Sequence, residues 1–345
     1  MKIARVSAFL LVVVVMTAGS VATAEETAAA NLAREPAEMD GVDLAFPTGI
    51  EPAVPGTRGL DGTQLPALLL IPESTNDRVM AFDPTTGDLV DADFIPADPD
   101  NLSTPICAIL NHDGTQVLVS DQLDDVVQAY DVATGAYIGV FAPAGGVNTA
   151  ILDNIRGISL QVNGNLLVTV GGGANDDAVA EFDTAGNYLG NFIANALGGL
   201  GSPFDVHILT EATVGGIDSD AIHRYDVATG AYIADLIAIN TFPEQINRAA
   251  NGNFLIANFS GTQEGIMEVE PDGTLVGIYD EPTLGGYRGV WELPNGNLLV
   301  TNGSGVHEMT RSNTLVETKI SGVSARFIEY TLESVPVELQ GFSVE

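Results

Sequence analysis

The chain has 345 residues, and its 46 acidic residues outnumber 12 basic residues to give a formal net charge of −34. This excess of negative charge argues against nucleic acid and anionic membranes as partners, because both need a cationic protein surface. The single cysteine, Cys107, excludes a disulfide within the chain, so stability must come from packing, and we expect Cys107 to be a small buried hydrophobic residue.

The N-terminal segment, residues 1–24, has the pattern of a secretory signal peptide. Lys2 and Arg5 precede an apolar run at Ala8–Met16, and small residues follow where cleavage would occur. The run is too short to span a membrane, so we expect no membrane insertion after cleavage. The mature protein is predicted to be secreted, in the periplasm or outside the cell. Residues 25–64 lack any sustained period and are predicted to be a flexible leader.

One nine-residue segment occurs twice without change. Tyr130–Ile138 returns as Tyr225–Ile233, and degenerate copies begin at Phe82 and Phe182. Short apolar strands and turn signals that recur every 40 to 50 residues or so are typical of a β-propeller. The repeat therefore predicts the fold class before any functional motif is considered.

The repeated segment contains an Asp-x-x-x-Gly turn between the third and fourth strands of each unit. Asp131 and Asp226 are expected to accept hydrogen bonds from backbone N–H groups of the turn. Gly135 and Gly230 are expected to take the left-handed conformation that closes the turn. We predict a structural role for these residues and not a catalytic one.

Each unit predicts four strands. Asn-Gly pairs between apolar runs, as at Asn163-Gly164, predict the tight hairpin between the first two strands. The third strands end, in chain order, at Phe82, Tyr130, Phe182, Tyr225, Val269 and Met309. Six third strands predict six blades, and a seventh would require a hidden unit in the leader.

The first unit has no inner strand before residues 67–71, whereas the chain has a surplus strand at Ser324–Tyr330. Pairing the two removes both open sheet edges. The sequence thus predicts an all-β fold, a six-bladed β-propeller at residues 65–333, closed by a C-terminal strand that completes the first blade. Residues 334–345 are predicted to be a short tail.

The inner hairpins at Arg156–Thr169 and Arg288–Thr301 share the return strand Asn-Gly-Asn-Leu-Leu-Val-Thr. This pattern resembles NHL-type and the related YncE-like (YVTN) propellers, and the resemblance covers residues 65–333. It implies the architecture, while lactonases, lyases, oxidoreductases and binding scaffolds all occur in that superfamily. The tail also resembles the start of a fibronectin type III-like domain, which leaves open a structural module of a larger secreted protein.

Alignment of the six units places one residue of each inner strand at the same end of the central channel, here called the mouth. These mouth residues are Ile106, Arg156, Phe204, Glu244, Arg288 and Arg326. Three arginines so placed repel one another. They need balance from the charges of Glu244 and Asp205, from hydrogen-bond acceptors such as Asn154, or from a bound anion. Two interpretations stay open: an internal network that joins the blades, and a cationic pocket that binds a carboxylate, phosphate or sulfate group.

The turns between second and third strands lie at the same end as the mouth. Four of them are acidic, at residues 76–77, 124–125, 176–177 and 218–220. We expect solvated turns around a basic centre, because none has the spacing of a known Ca²⁺ loop; the alternative is that the turns bind Ca²⁺.

No nucleophile elbow, phosphate loop or Cys-x-x-Cys motif occurs in the chain. We therefore predict a monomeric binding or scaffolding module without catalytic residues, metal site or cofactor, whose partner is a small anionic ligand or a protein or peptide carboxylate. The predicted ligand-binding residues are Arg156, Arg288, Arg326, Glu244, Phe204, Asp205 and His207. His207 is included because it is the one histidine expected at the channel.

The alternative is a lactonase- or lyase-like enzyme that uses a divalent cation. Gluconolactonase-like propellers, which this chain resembles in blade count, bind such a cation with Glu, Asn and Asp. Glu244, Asn154 and Asp205 match that set by residue type, although their positions do not reproduce the pattern of that family.

Overall fold

The computed structural model describes residues 67–239 and 242–331. The predicted signal peptide, leader and tail lie outside the described residues. Within the described ranges, 24 β-strands form six antiparallel sheets of four strands each, so the predicted six-bladed propeller is confirmed. No helix in these ranges is long and apolar enough to cross a membrane.

The strands follow one another with short connections, and the first three belong to blade 1. They are β1 (Leu69–Glu73), β2 (Arg78–Phe82) and β3 (Leu89–Ile95). In blades 2 to 6 the four strands run from the channel axis to the rim in chain order.

The strands of blades 2 to 6, and the one that completes blade 1, have the following bounds. Blade 2 contains β4 (Pro105–Leu110), β5 (Gln116–Asp121), β6 (Val126–Asp131) and β7 (Tyr137–Ala142). Blade 3 contains β8 (Ile155–Leu160), β9 (Leu166–Val170), β10 (Ala178–Phe182) and β11 (Tyr188–Ile193). Blade 4 contains β12 (Pro203–Ile208), β13 (Glu211–Gly216), β14 (Ala221–Asp226) and β15 (Tyr232–Ala238). Blade 5 contains β16 (Pro243–Arg248), β17 (Phe254–Asn258), β18 (Gly265–Val269) and β19 (Leu275–Tyr279). Blade 6 contains β20 (Gly289–Glu292), β21 (Leu298–Asn302), β22 (Gly305–Thr310) and β23 (Thr314–Ser321). The last strand, β24 (Glu329–Tyr330), completes blade 1.

The ring closes as predicted, through antiparallel pairing of β24 with β1. The predicted strand at Ser324–Tyr330 is interrupted. The Arg326 N–H donates to the Pro72 carbonyl of blade 1, at 2.9 Å, whereas the next N–H, of Phe327, turns to the Ile106 carbonyl of blade 2, at 3.1 Å. The closing segment therefore joins its own blade and the next blade at once.

Apolar side chains fill the space between neighbouring blades. Between blades 3 and 4, for example, Leu167 and Val179 pack in one buried cluster with Val206 and Val214. Burial of each such side chain stabilises the fold by roughly 1.5–3 kcal/mol. The short apolar runs of each repeat are thus buried because each blade is covered on both faces.

The repeated turns have the predicted geometry. The Asp131 carboxylate accepts a hydrogen bond from the Thr134 N–H at 2.9 Å, and Gly135 has a φ of 67°. A Cβ at Gly135 would lie 2.8 Å from the Phe94 carbonyl oxygen of blade 1. The glycine is therefore required both by its left-handed conformation and by contact with the preceding blade.

Candidate functional site

The six mouth residues lie at the starts of the inner strands. Ile106, Arg156, Phe204 and Glu244 are the second residues of their strands, and Arg288 and Arg326 precede β20 and β24, respectively. Five of them are buried, whereas the side chain of Arg288 keeps 11 % of its surface exposed.

An aromatic contact closes the channel just inside the mouth. The ring centroids of Phe204 in blade 4 and Phe327 in blade 1 are 5.9 Å apart, and both residues are buried. The ring centroids of Phe242 and Phe204 are 5.5 Å apart, and those of Phe259 and Phe242 are 4.8 Å apart. Phe204, Phe242 and Phe259 thus form an aromatic row that extends outward from the axis. Sequence analysis missed Phe242 and Phe259, because Phe242 precedes the inner strand β16 and Phe259 follows the second strand β17, so neither lies within an inner strand.

Arg156 is fully buried and fixed to the next blade. Its Nη1 donates to the carbonyl oxygens of Ser202, at 3.2 Å, and Pro203, at 3.0 Å, and to the Ser202 hydroxyl at 3.0 Å. The guanidinium carbon lies 4.8 Å from the centroid of the Phe204 ring. Burial lowers the pKa of Arg156 to about 10, and the nearby carboxylates Asp176 and Glu244 oppose that shift.

Nη1 is the one guanidinium nitrogen of Arg156 that has hydrogen-bond acceptors among the described residues. Among the described residues, its Nε and Nη2 atoms have no hydrogen-bond partner, although both are buried. The space for this group comes from Gly171, where a Cβ would lie 2.6 Å from the guanidinium carbon. The run Gly171–Gly173 directly after β9 is the sequence signal that could have indicated this close approach.

Arg288 and Arg326 bind serine hydroxyls of the segments beside them. Arg288 Nη1 donates to Ser324 Oγ at 2.6 Å, and Arg326 Nη2 donates to Ser74 Oγ of blade 1 at 3.2 Å. The guanidinium carbon of Arg288 lies 5.5 Å from the centroid of the Phe259 ring, at the outer end of the aromatic row. The internal network foreseen as one interpretation therefore exists in part, formed by carbonyl and hydroxyl groups.

Glu244 is the one acidic mouth residue, and the three arginines share it. Arg288 Nε lies 3.8 Å from Glu244 Oε1, which is too long for a hydrogen bond. Burial raises the pKa of Glu244, and Arg288, Arg326 and Arg156, in decreasing order, oppose that shift. Within the described part of the chain, Glu244 Oε2 is buried without a hydrogen-bond partner.

Asp205 links two blades from inside the channel. Its Oδ1 accepts from its neighbour, the Val206 N–H, and its Oδ2 accepts from the Ile246 N–H of blade 5, both at 2.8 Å. Burial raises the pKa of Asp205 despite these two hydrogen bonds. Both carboxylate oxygens are therefore engaged by the fold, and the structure gives Asp205 a structural contact in addition to its predicted binding role.

His207 lies three residues beyond Phe204 along β12, so it is deeper than the mouth residues. Its Nε2 atom is buried and, among residues 67–239 and 242–331, has no hydrogen-bond partner. Burial, assisted by the positive charge of Arg248, lowers the pKa of His207 to about 4. The structure thus separates His207 from the cluster formed by the arginines and Glu244.

Two of the three residues of the cation alternative, Asn154 and Asp205, are hydrogen-bonded to other parts of the fold. Asn154 Oδ1 accepts from Gln122 Nε2 at 2.8 Å, and Asn154 Nδ2 donates to the Gly171 carbonyl at 3.2 Å. The oxygens of Asp205 are occupied as described above, and Glu244 lies among arginines, which repel a cation. The described ranges also hold no group of three His, Cys, Asp or Glu side chains arranged for a metal ion.

Two of the acidic turns support the strands that carry mouth residues. Asp125 accepts from the Asn154 N–H, and Asp177 accepts from the Ser202 N–H, both at 2.6 Å. Both aspartates have a positive φ, 57° and 58°. Each carboxylate thus caps the start of the next blade, which explains why these turns are acidic at the mouth.

Comparison with known proteins identifies the fold but no closer relationship. No protein-family profile and no curated protein matches the chain. A protein of unknown function from Bacteroides caccae has 13 % identity and a TM-score of 0.54, with 77 % of this chain and 99 % of that chain covered. Virginiamycin B lyase from Staphylococcus aureus has 15 % identity and a TM-score of 0.51, with 76 % of this chain and 91 % of that chain covered. A streptogramin B lyase has 14 % identity and a TM-score of 0.52, with 82 % of this chain and 93 % of that chain covered. At such identities the likeness is one of architecture alone, and it identifies this chain as a six-bladed β-propeller.

Proposed function

We propose that the mouth of this propeller binds a small anionic group and that the chain is a binding or scaffolding module. One observation carries the proposal: within the described ranges, two nitrogens of the fully buried Arg156 guanidinium have no hydrogen-bond partner. A buried, incompletely paired cation is costly. A carboxylate, phosphate or sulfate group would supply the missing acceptors, since these groups match the planar guanidinium.

The charge balance at the mouth supports the same proposal. Three arginines face a single glutamate among the mouth residues, and the surrounding aromatic rings keep the local dielectric low, so an added anion is attracted strongly. The partly exposed side chain of Arg288 offers a route from solvent. The contact between Phe204 and Phe327 lies just inside the mouth and blocks the channel beyond it.

The proposal is tested by thermal melting of the purified protein with acetate, phosphate or sulfate at constant ionic strength. We expect the anion that binds to raise the melting temperature, and the Arg288→Ala variant to lose this dependence. Arg311→Ala is the matched control, because Arg311 pairs with Glu268 and Glu292 away from the mouth. Identical melting of the unmodified protein with every anion would contradict the proposal.

A lactonase- or lyase-like enzyme is the second candidate, favoured by the likeness in fold to the two lyases. It would need a divalent cation near Glu244, where the arginines oppose one. Metal analysis of the purified protein separates the candidates. Bound metal with chelator-sensitive melting favours the enzyme, whereas anion-dependent melting that is insensitive to chelator favours the binding module.

We also propose that the protein is exported, on the pattern of residues 1–24. N-terminal sequencing of the protein from its native source tests this. A mature N-terminus close to residue 25 is the expected result, and an intact Met1 in the purified protein would contradict it.

A further inference from the structure

We infer that the ligand of the mouth is a carboxylate whose adjacent carbon carries a neutral N–H group, as in the C-terminal residue of a peptide. The inference rests on the proposed function and deepens it. Its starting point is that the mouth holds an unsatisfied acceptor as well as unsatisfied donors. Among the described residues, Glu244 Oε2 lacks a hydrogen-bond donor, while Arg156 Nε, Arg156 Nη2 and Arg288 Nε lack acceptors.

A simple anion provides hydrogen-bond acceptors for the arginine nitrogens but no donor for Glu244 Oε2. Sulfate or acetate offers acceptors to the arginines, but it offers nothing to Glu244 Oε2 and adds a negative charge next to that carboxylate. A ligand that carries an N–H donor beside its carboxylate can provide acceptors for the arginines and a donor for Glu244. Hydrogen bonds to charged groups are stronger than neutral ones, so a donor directed at Glu244 adds measurable affinity.

The charge balance favours a neutral donor over an ammonium group. An ammonium group placed against Glu244 would also lie beside Arg288 and Arg326, whose positive charges act most strongly on that carboxylate, and they would repel it. An amide N–H donates to Glu244 without this repulsion. The structure thus favours a peptide C-terminus, or an N-acylated amino acid, over a free amino acid.

The aromatic row provides a surface for the side chain of such a ligand. Phe204, Phe242 and Phe259 extend from Arg156 to Arg288, and both guanidinium groups lie over rings of this row. Arg156 is fully buried whereas Arg288 is partly exposed, so a carboxylate bound to the arginines leaves the rest of a peptide on the exposed side of Arg288.

Calorimetric titration of the full chain with five compounds tests the inference. N-acetylalanine carries both groups, 2-methyl-4-oxopentanoate replaces its N–H by CH₂, N-acetylalaninamide removes the carboxylate, and alanine replaces the amide by an ammonium group. An acetylated tripeptide ending in alanine distinguishes a peptide from a small N-acyl amino acid. We expect N-acetylalanine to bind about tenfold more tightly than the CH₂ analogue and than alanine.

Equal binding of N-acetylalanine and the CH₂ analogue would overturn the inference and leave the anion site intact. Tighter binding of alanine would also overturn it. If no carboxylate, phosphate or sulfate binds, the proposed function fails as well. The variant Glu244→Leu is expected to lose the preference for N-acetylalanine while it still binds the CH₂ analogue, and the panel on the unmodified protein decides the matter if this variant does not fold.

Discussion

Phe204 and Phe327 meet across the channel axis, with ring centroids 5.9 Å apart, although 123 residues separate them in the chain. Phe204 is the second residue of the inner strand of blade 4, and Phe327 lies in the segment that closes blade 1 on the opposite side of the ring. The contact forms only when the C-terminal segment joins the first blade. Ring closure and the floor of the mouth thus depend on the same residue.

Truncation of Phe327 is predicted to weaken the whole ring. We expect Phe327→Ala to lower the free energy of unfolding by about 3–5 kcal/mol, because the side chain is fully buried and leaves a cavity. Urea denaturation measures the change. Val316→Ala in the rim strand β23, where the side chain is half exposed, is the control and should change the free energy by less than about 0.5 kcal/mol. Equal effects of the two variants would contradict closure through Phe327.

The variant Gly171→Ala is predicted to displace Arg156. An added Cβ would overlap the guanidinium, and overpacking of this kind costs about 1–3 kcal/mol. We expect a lower melting temperature and a smaller stabilisation by the bound anion. Gly303→Ala is the matched control, because there a Cβ would only approach Arg288 Nη2 at 3.9 Å. A variant with unchanged stability and unchanged anion response would refute this role of Gly171.

The partly buried His207, whose Nε2 atom is buried, predicts a loss of stability in acid. An ordinary histidine titrates near pH 6.5, whereas the pKa of His207 in the folded protein is lowered to about 4. Between these pH values the unfolded chain binds a proton that the folded chain does not, so the free energy of unfolding falls as the pH drops from 6.5 to 4, by up to about 3 kcal/mol. Denaturation at several pH values should give a shallower slope for His207→Gln than for His112→Gln, an exposed control. The same slope in both variants would argue against a His207 that stays neutral in the folded protein.

Lys319 is predicted to fasten the last blade to the first. Its ammonium group lies 3.0 Å from Asp88 of blade 1 and from Glu308 of blade 6, and 2.8 Å from Glu317. Asp88 and Glu317 are exposed, whereas the side chains of Lys319 and Glu308 keep only 5 % and 7 % of their surface exposed, so we expect Lys319→Met to lower the free energy of unfolding by about 1–3 kcal/mol. The difference between this variant and the unmodified protein should shrink in high salt, since salt screens exposed ion pairs. A difference that does not respond to salt would mean that packing, and not charge, accounts for the effect.

The fold could be predicted because its signals are local and repeated. The Asp131 turn, the left-handed Gly135 and the hairpin glycines recur in successive units, and each specifies a turn by short-range geometry. The missing inner strand of the first unit could also be assigned from the sequence to the surplus strand at Ser324–Tyr330. The interruption of that strand at Phe327 was not predicted, because it depends on a carbonyl of blade 2.

The site was predicted less completely, because strand register places residues along a ring but does not determine their partners. The register placed Arg156, Arg288 and Glu244 near one another. It could not indicate that Arg156 would bind the carbonyls of Ser202 and Pro203, because this contact depends on how two blades pack. Contacts that join blades are long-range in sequence, and no local pattern encodes them.

Calorimetric titration of the unmodified protein with sulfate, phosphate and acetate, at constant ionic strength, measures anion binding at the mouth. We expect saturable binding of at least one of these anions, with one site per chain, and loss of that binding in Arg288→Ala but not in Arg311→Ala. The absence of saturable heat with every anion, or equal binding by both variants, would contradict anion binding at the mouth.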